Sequence, residues 1–298
     1  MDKINKSPFS FYDFLGYFIP GALFCYLFVL VFDIDTFKDI DTLKWLNFDF
    51  FLKLEVFDQS VAFIIVSYII GHVINYLSSL TIEQYSIWSI GYPSRYILGK
   101  NNKSYFLTRE EIVKRAEEKE EDIDDKQVNK EFFISLVWRI GLWFVVSPIA
   151  IIDFIIGVKF QFRRHYTNSV DGFLKNEINN KIHQFNRLQG YKLTKQNGDF
   201  YRPIWHYCYE KFSVHAAKLD NYVALYGFTR SMSFTFCTYS WLLIFAIILQ
   251  PALWRYYIIG IIIFAFLAFI FYLAFVKFYR RYTLEGFMCL LIDEDLIG

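Results

Sequence analysis

The chain has 298 residues, of which 55% are hydrophobic and 21% aromatic, and its mean hydropathy is +0.27. A soluble domain of this length rarely has a positive mean hydropathy, so the composition argues against a soluble protein and indicates an integral membrane protein. The formal net charge of +1 excludes a protein that is basic throughout and binds polyanions over its whole surface.

Two apolar segments near the N-terminus predict membrane-spanning helices. A spanning helix needs about 20 mostly apolar residues to cross about 30 Å of hydrocarbon. The first predicted span covers residues 15–32 and the second covers residues 61–80. The first is not expected to be a cleaved signal peptide, because its apolar run is long, Asp13 precedes it and no small-residue cleavage site follows. Pro20 predicts a kink within it.

The second span carries polar side chains at helical spacing. Tyr68, His72, Asn75 and Ser79 recur at steps of four, three and four, so they share one face. Such groups avoid hydrocarbon and should meet other helices or water. Two interpretations stay open, namely hydrogen bonds between helices and the lining of a pore. In a pore, equivalent faces of several copies would form polar rings, and His72 would make conduction sensitive to pH.

Residues 81–230 are predicted to form a helical cytoplasmic region. Its first part, residues 81–131, continues the second span, passes through a turn at 91–94 and ends in a charged tract. The acidic run 117–125 within this tract indicates a solvated helix face or loop.

Residues 132–160 are apolar but are interrupted by Arg139, Pro148 and Asp153. A full crossing would place Lys159 and the two arginines after it outside the cell, against the positive-inside rule. We therefore expect a helix in the inner membrane interface or a re-entrant hairpin. Burial against the other helices is the remaining interpretation.

Basic and aromatic residues are interleaved between residues 163 and 205. Basic groups neutralise phosphates and aromatic rings stack on bases, which indicates a nucleotide or nucleic-acid ligand. A plain solvated surface would give the same pattern, and Arg163 and Arg164 also suit anionic lipid of the inner leaflet. The candidate ligand-binding residues are Arg187, Lys192, Lys195, Tyr201, Arg202 and Trp205.

Apolar residues between Trp205 and Tyr226 recur at alternating steps of four and three, which is a heptad pattern. It predicts one long helix that begins near Pro203 and continues into the third span. The apolar seam would pack either against a neighbouring helix of the same chain or against a second copy in a symmetric homo-oligomer.

The third and fourth predicted spans cover residues 233–250 and 256–276, and the fourth contains no charged residue. The third repeats the polar spacing of the second span, because Ser231, Thr235 and Thr238 share one face. The candidate pore-lining residues are therefore His72, Asn75, Ser79, Thr235 and Thr238.

Charge distribution predicts the topology. The connection 33–60 has three lysines against seven acidic residues, whereas residues 159–230 contain twelve basic and five acidic residues. The positive-inside rule then places the middle of the chain and both termini in the cytoplasm, with the connection on the outer side of the membrane. The predicted fold is an all-α integral membrane protein with four transmembrane helices. Its parts are an N-terminal hairpin (1–80), the helical cytoplasmic region (81–230) and a C-terminal hairpin (231–298).

No catalytic or metal-binding motif stands out. The chain lacks HExxH, a nucleophile elbow, a P-loop and a dinucleotide-binding glycine pattern, and its four cysteines have no paired spacing. We therefore expect no enzymatic activity, no cofactor and no metal. Two alternatives stay open. One is a non-conducting membrane scaffold that recruits a partner through the heptad face. The other is a lipid-modifying enzyme that uses Asp153, His165, or His215 together with Asp220.

In layout, the chain resembles the small membrane effectors of bacterial anti-phage defence operons, among them the channel effectors of Hailong systems. The resemblance is carried by two spans at each end, the basic and aromatic middle, and the stretch FYDFLGYFIPGALF. It covers the arrangement of most of the chain and assigns no individual residue. It implies membrane lipid as a partner and an oligomeric channel. The implied ligand is a nucleotide or a single-stranded DNA oligomer that a partner nucleotidyltransferase makes.

Overall fold

The computed structural model describes residues 13–31, 56–100, 104–118, 124–190 and 199–296. Within the part of the chain that it describes, 88% of residues are helical and none lies in a strand, which confirms the predicted all-α class. Most of the predicted external connection 33–60 and the middle of the acidic run, residues 119–123, lie outside the described residues.

Six α-helices form the first half of the described chain. Their bounds are Ile19–Val31 (α1), Val56–Ser78 (α2), Gln84–Ser89 (α3), Pro93–Tyr96 (α4), Arg109–Glu118 (α5) and Asp125–Val145 (α6). Two π-helical turns extend this set, since Phe14–Phe18 precedes α1 and Ser79–Glu83 joins α2 to α3.

Six further helices form the second half of the described chain. Their bounds are Ser147–Ile152 (α7), Arg164–Thr167 (α8), Gly172–Gln189 (α9), Tyr201–Lys211 (α10), Ser213–Leu249 (α11) and Trp254–Leu291 (α12). A π-helical segment, Asp153–Lys159, continues α7. The 3₁₀ turn Pro251–Leu253 joins α11 to α12, and Glu294–Leu296 forms a last turn near the C-terminus.

Two glycines allow the N-terminal helices to cross closely. A Cβ atom on Gly21 of α1 would lie 1.8 Å from the carbonyl oxygen of Ser67. A Cβ atom on Gly71 of α2 would lie 1.9 Å from the carbonyl oxygen of Tyr17. Any larger residue at either position would force the two backbones apart, so the crossing depends on small residues at both points.

The antiparallel pair α11 and α12 forms the centre of the fold. The pair is linked by the Ser233 hydroxyl, which donates to the carbonyl oxygen of Ala268 at 2.8 Å. Tyr239, Tyr272 and Phe275 are among the largest fully buried side chains and lie on these two helices. The high aromatic content is therefore used in part to fill the core between helices.

Three helical segments are long and apolar enough to cross a membrane, namely Gln59–Tyr96, His215–Leu249 and Pro251–Leu291. They contain the second, third and fourth predicted spans. The first predicted span coincides with a shorter apolar helix, Phe14–Val29. A further candidate is α6 together with Ser147–Lys159, which meet at 85° with the geometry of a broken span or a re-entrant loop.

Proline and tertiary contacts fix this bend. Pro148 has no N–H to donate within a continuing helix, so α6 ends before it and α7 starts with it in the first turn. The carbonyl oxygen of Val145, which the break leaves available, accepts from the indole N–H of Trp241 at 2.8 Å and from the thiol of Cys237 at 3.6 Å. The end of α6 is thus bound to α11.

The prediction of one long helix from Pro203 into the third span is wrong at Phe212. Its backbone has φ −118° and ψ 84°, which separates α10 from α11. The break lets α10 turn and pack against α12, where the hydroxyl of Tyr201 donates to the carbonyl oxygen of Tyr282 at 2.9 Å. A Cβ atom on Gly286 would lie 2.0 Å from the same hydroxyl. From Ser213 onward, α11 runs unbroken into the apolar bundle.

Candidate functional site

A buried arginine lies near the middle of α11, within a segment that is able to cross a membrane. Arg230 is only 8% exposed. Its Nε donates to the Ser78 hydroxyl at 3.1 Å, and its Nη2 donates to Oδ1 of Asn75 at 2.9 Å. Its Nη1 pairs with the Glu83 carboxylate. Because a buried charge is costly unless it is paired and hydrogen-bonded, this network is the strongest candidate for a functional site.

The π-helical turn after α2 lies at the same place. Such a turn inserts an extra residue into the helix and changes which side chains share a face, and π turns often occur at functional sites. Glu83 is the last residue of this turn, and Ser78 immediately precedes it. Ser231 adds a second contact from α11, since its hydroxyl lies 3.4 Å from Oδ1 of Asn75. The network therefore joins α11 to the end of α2 and to the irregular turn that follows it.

A second buried ion pair lies where the π-helical segment follows α7. The Asp153 side chain is 1% exposed, and its Oδ2 accepts from Nη1 of Arg163 at 2.5 Å. The hydroxyl of Tyr85 donates to the same oxygen at 3.1 Å. A Cβ atom on Gly157 would lie 2.1 Å from Oδ1 of Asp153, so glycine at this position makes room for the carboxylate. This cluster ties the end of the bent segment to α3.

A third buried charge, Arg139, lies on α6. The side chain is 4% exposed, and its guanidinium lies 4.7 Å from the centre of the Trp88 ring and 5.8 Å from that of Tyr105. Its Nη1 donates to the carbonyl oxygen of Tyr105, and the Tyr105 hydroxyl donates to the carbonyl oxygen of Arg139 at 2.9 Å. Cation–π and hydrogen-bond contacts thus compensate the burial of this charge.

Four of the predicted pore-lining residues make hydrogen bonds within the protein. Asn75 belongs to the Arg230 network. The hydroxyls of Thr235, Thr238 and Ser79 donate to carbonyl oxygens of their own helices at 3.0, 2.9 and 2.6 Å. Thr235 is fully buried, whereas Thr238 and Ser79 are half-buried. The structure therefore does not bring these side chains to one surface of the single chain.

His72, the fifth pore-lining candidate, lies on the outer face of α2. Its ring stacks on that of Tyr17, with 4.0 Å between the ring centres, and remains exposed. Its neighbours on this face are large and exposed, with Ile69 at 57%, Val73 at 52% and Tyr76 at 64%. Because an imidazole is unfavourable in hydrocarbon, this face is expected to contact water or another protein surface.

The ligand-binding candidates occupy different positions. Arg187 and Arg202 are exposed near the end of α9 and at the start of α10. Tyr201 is buried in the core and is not accessible to a ligand. Trp205 is half-buried and its ring lies 5.0 Å from that of Tyr209. Two further candidates, Lys192 and Lys195, lie outside the described residues.

A surface cluster binds the C-terminal end of the chain to α9 and α10. Nζ of Lys211 lies 2.5 Å from Oδ1 of Asp293 and 2.6 Å from Oδ2 of Asp295. The Tyr207 hydroxyl donates to Asp293 at 2.5 Å, and Lys181 donates to its carbonyl oxygen at 2.8 Å. Burial opposes ionisation of Asp293, but the hydrogen bonds from Lys211 and Tyr207 outweigh it and lower the pKa of the carboxyl.

His215 and Asp220, one of the residue sets of the enzymatic alternative, do not form a shared site. Nδ1 of His215 lies 3.0 Å from Oε1 of Glu285, whereas Asp220 accepts from the hydroxyl of Tyr209 at 3.3 Å. His215 and Asp220 therefore have different partners. Within the described ranges, no group of three or more His, Cys, Asp or Glu side chains is placed to hold a metal ion.

The sequence does not identify Glu83 and Arg230 as a pair. Glu83 follows the predicted span 61–80 and Arg230 precedes the predicted span 233–250, so both are predicted to lie in the cytoplasm. The available signal was the presence of opposite charges at the adjoining ends of the spans 61–80 and 233–250. No family model, curated protein or solved structure matches this chain. Its function is therefore inferred from the geometry of the described residues.

Proposed function

We propose that the chain is a homo-oligomeric membrane channel that acts as an effector in the bacterial inner membrane. It would cross the membrane four times, through α1, α2, α11 and α12, with α6 and α7 forming a re-entrant segment and both termini in the cytoplasm. The 85° bend at Pro148 supports the re-entrant arrangement. The layout shared with anti-phage defence effectors supports the effector class.

The exposed imidazole of His72 carries the proposal of conduction. It lies on an apolar face of α2 that the described residues leave largely exposed, apart from the ring of Tyr17. In a ring of identical subunits, this face of each copy would surround water, and the imidazoles would form a polar ring within an apolar wall. This arrangement avoids the cost of exposing His72 to lipid.

The Arg230 network supplies a route from the cytoplasmic helices to the conduit. α11 begins beside α10, which packs against the C-terminal part of α12, and continues to Arg230, where it binds α2. A ligand that moves α10 would shift α11 and change the position of α2. The proposed ligand is a nucleotide or a single-stranded DNA oligomer from a partner nucleotidyltransferase, contacted by Arg187 and Arg202.

The test is ion flux through liposomes that contain the purified protein, measured with and without single-stranded oligonucleotides so that both directions of gating are detected. His72→Leu should abolish flux while the oligomer remains intact in size-exclusion chromatography. Ile262→Leu, a conservative change at an exposed position of α12 outside the proposed conduit, should conduct as the unmodified protein does.

Two outcomes would contradict the proposal. If His72→Leu conducts normally, the outer face of α2 does not line a conduit. If the intact oligomer is impermeable in both conditions and instead retains a protein partner during purification, the non-conducting scaffold is the better interpretation.

A further inference from the structure

The turn between the π-helical segment and α8 presents two aromatic rings to the surroundings. Gln161 at its centre has φ +56°, a left-handed conformation that residues with a side chain adopt uncommonly. It reverses the chain so that the residues on either side project outward. Phe160 is 76% exposed and Phe162 is 45% exposed.

Cations flank these rings, and the sequence around them contains no acidic residue. Lys159 and Arg164 are exposed, as is the imidazole of His165. The sequence contains no acidic residue between Asp153 and Asp171. Asp153 itself is buried and paired, so its charge does not reach this surface. The surface of the turn is therefore positively charged.

The charged turn continues directly from an exposed apolar surface. Phe154, Ile155 and Val158 of the π-helical segment are 56%, 45% and 45% exposed. Nζ of Lys159 lies 5.2 Å from the centre of the Phe154 ring, so its aliphatic stem follows the apolar surface and its charged end lies at the border. An apolar surface that ends in aromatic and basic side chains is typical of the boundary between hydrocarbon and headgroups.

We infer that the segment 154–165 binds an anionic phospholipid. Lys159 and Arg164 pair with the phosphate-bearing headgroup, while Phe160 and Phe162 lie at the start of the acyl chains. The adjoining apolar surface favours a lipid over a nucleic acid, which would leave that surface in water. The inference rests on the membrane setting of the proposed function but not on conduction, so lipid binding and ion flux can be lost independently.

Native mass spectrometry of the full chain in detergent tests this inference, with phosphatidylglycerol and phosphatidylcholine as the added lipids. The unmodified protein should retain phosphatidylglycerol in preference to phosphatidylcholine. Lys159→Gln together with Arg164→Gln should weaken phosphatidylglycerol binding by roughly fivefold for each cation removed. The matched control is Lys126→Gln with Lys130→Gln, which removes two exposed cations of α6 that have acidic neighbours, and it should bind as the unmodified protein does.

A charge-conserving double variant, Lys159→Arg with Arg164→Lys, should keep the lipid preference and shows that the turn tolerates substitution. If the unmodified protein retains phosphatidylglycerol and phosphatidylcholine equally, the inference is wrong, and no variant is needed to show it. Displacement of phosphatidylglycerol by inorganic phosphate or by an oligonucleotide at equal concentration would overturn it as well, because the site would then recognise phosphate in general.

Discussion

Arg230 is the side chain whose removal should have the largest effect on the bundle. Loss of one partner of a buried ion pair leaves the other charge without compensation, at a cost of about 3–5 kcal/mol. We expect Arg230→Gln and Glu83→Gln each to destabilise the protein by this amount. Arg230→Met combined with Glu83→Leu should cost less than the two single changes added together, because neither charge is left buried.

Thermal unfolding of the detergent-solubilised protein, followed by fluorescence-detected size exclusion, measures these differences. Arg281→Gln is the matched control, because Arg281 is exposed near the end of α12 and its loss should leave the unfolding temperature nearly unchanged. A single variant at Arg230 that unfolds like this control would show that the network does not stabilise the bundle.

The contacts of Asp293 predict that the C-terminal end is released in acid. Its pKa is lowered in the folded protein, so its ionisation stabilises the fold above the reference value of about 3.9. This stabilisation disappears as the pH falls from about 3.9 through the lowered pKa of Asp293. The hydrogen bond to Asp293 raises the pKa of Lys211, which therefore stays charged throughout this range.

Hydrogen exchange of residues 292–296, followed from about pH 5 down to about pH 1 and corrected for the intrinsic pH dependence of amide exchange, measures this release. Lys211→Gln should move the release to higher pH, because it removes a hydrogen bond that lowers the pKa of Asp293. Lys218→Gln is the comparison, since Lys218 pairs with Glu285 rather than with Asp293. An identical pH dependence in both variants would be evidence against the assigned role of Lys211.

At the scale of single elements, the crossing of α1 and α2 depends on the absence of side chains. We expect Gly71→Ala to separate the two helices, since its new Cβ atom would lie 1.9 Å from the Tyr17 carbonyl oxygen. Gly141→Ala is the matched control, because no heavy atom lies within 4 Å of a Cβ atom at that position and alanine favours the helix. A cysteine pair placed across the crossing, one on each helix, should form a disulfide in the control but not in Gly71→Ala. Equal cross-linking in both would show that the helices do not approach as described.

The sequence predicted the apolar helices correctly because each is defined by its own residues. Periodicity identifies which side chains share a face, but it does not identify what that face contacts. Asn75 and His72 are three residues apart, yet Asn75 binds Arg230 and His72 lies outside, a difference that the partner helix determines. The heptad pattern also does not mark the break at Phe212, before which α10 packs against α12 through Tyr201 and Gly286, residues that are far apart in the sequence.

At the scale of the whole molecule, the extent of exposed apolar surface favours a membrane over water as the surroundings of the protein. Large apolar side chains on α1, α2, α6 and α12 are exposed. Examples are Tyr26 at 59%, Ile69 at 57%, Trp138 at 70% and Ile262 at 63%. A protein in water would rarely leave so much of this surface uncovered. Lipid and neighbouring subunits are the surroundings that suit it, which agrees with the candidate spans.

The proposed topology has its own test, based on two exposed positions that should lie on opposite sides of the membrane. Arg187→Cys lies on α9, which we place in the cytoplasm, and Ala252→Cys lies in the turn between α11 and α12, which we place outside. A membrane-impermeant maleimide added to spheroplasts should label Ala252→Cys directly, and Arg187→Cys only after permeabilisation. Background labelling should be low, because three of the native cysteines are buried and Cys25 is half-buried. Labelling of Arg187→Cys in sealed spheroplasts would place α9 outside the cell, where a cytoplasmic ligand could not reach it, and the gating scheme would be wrong.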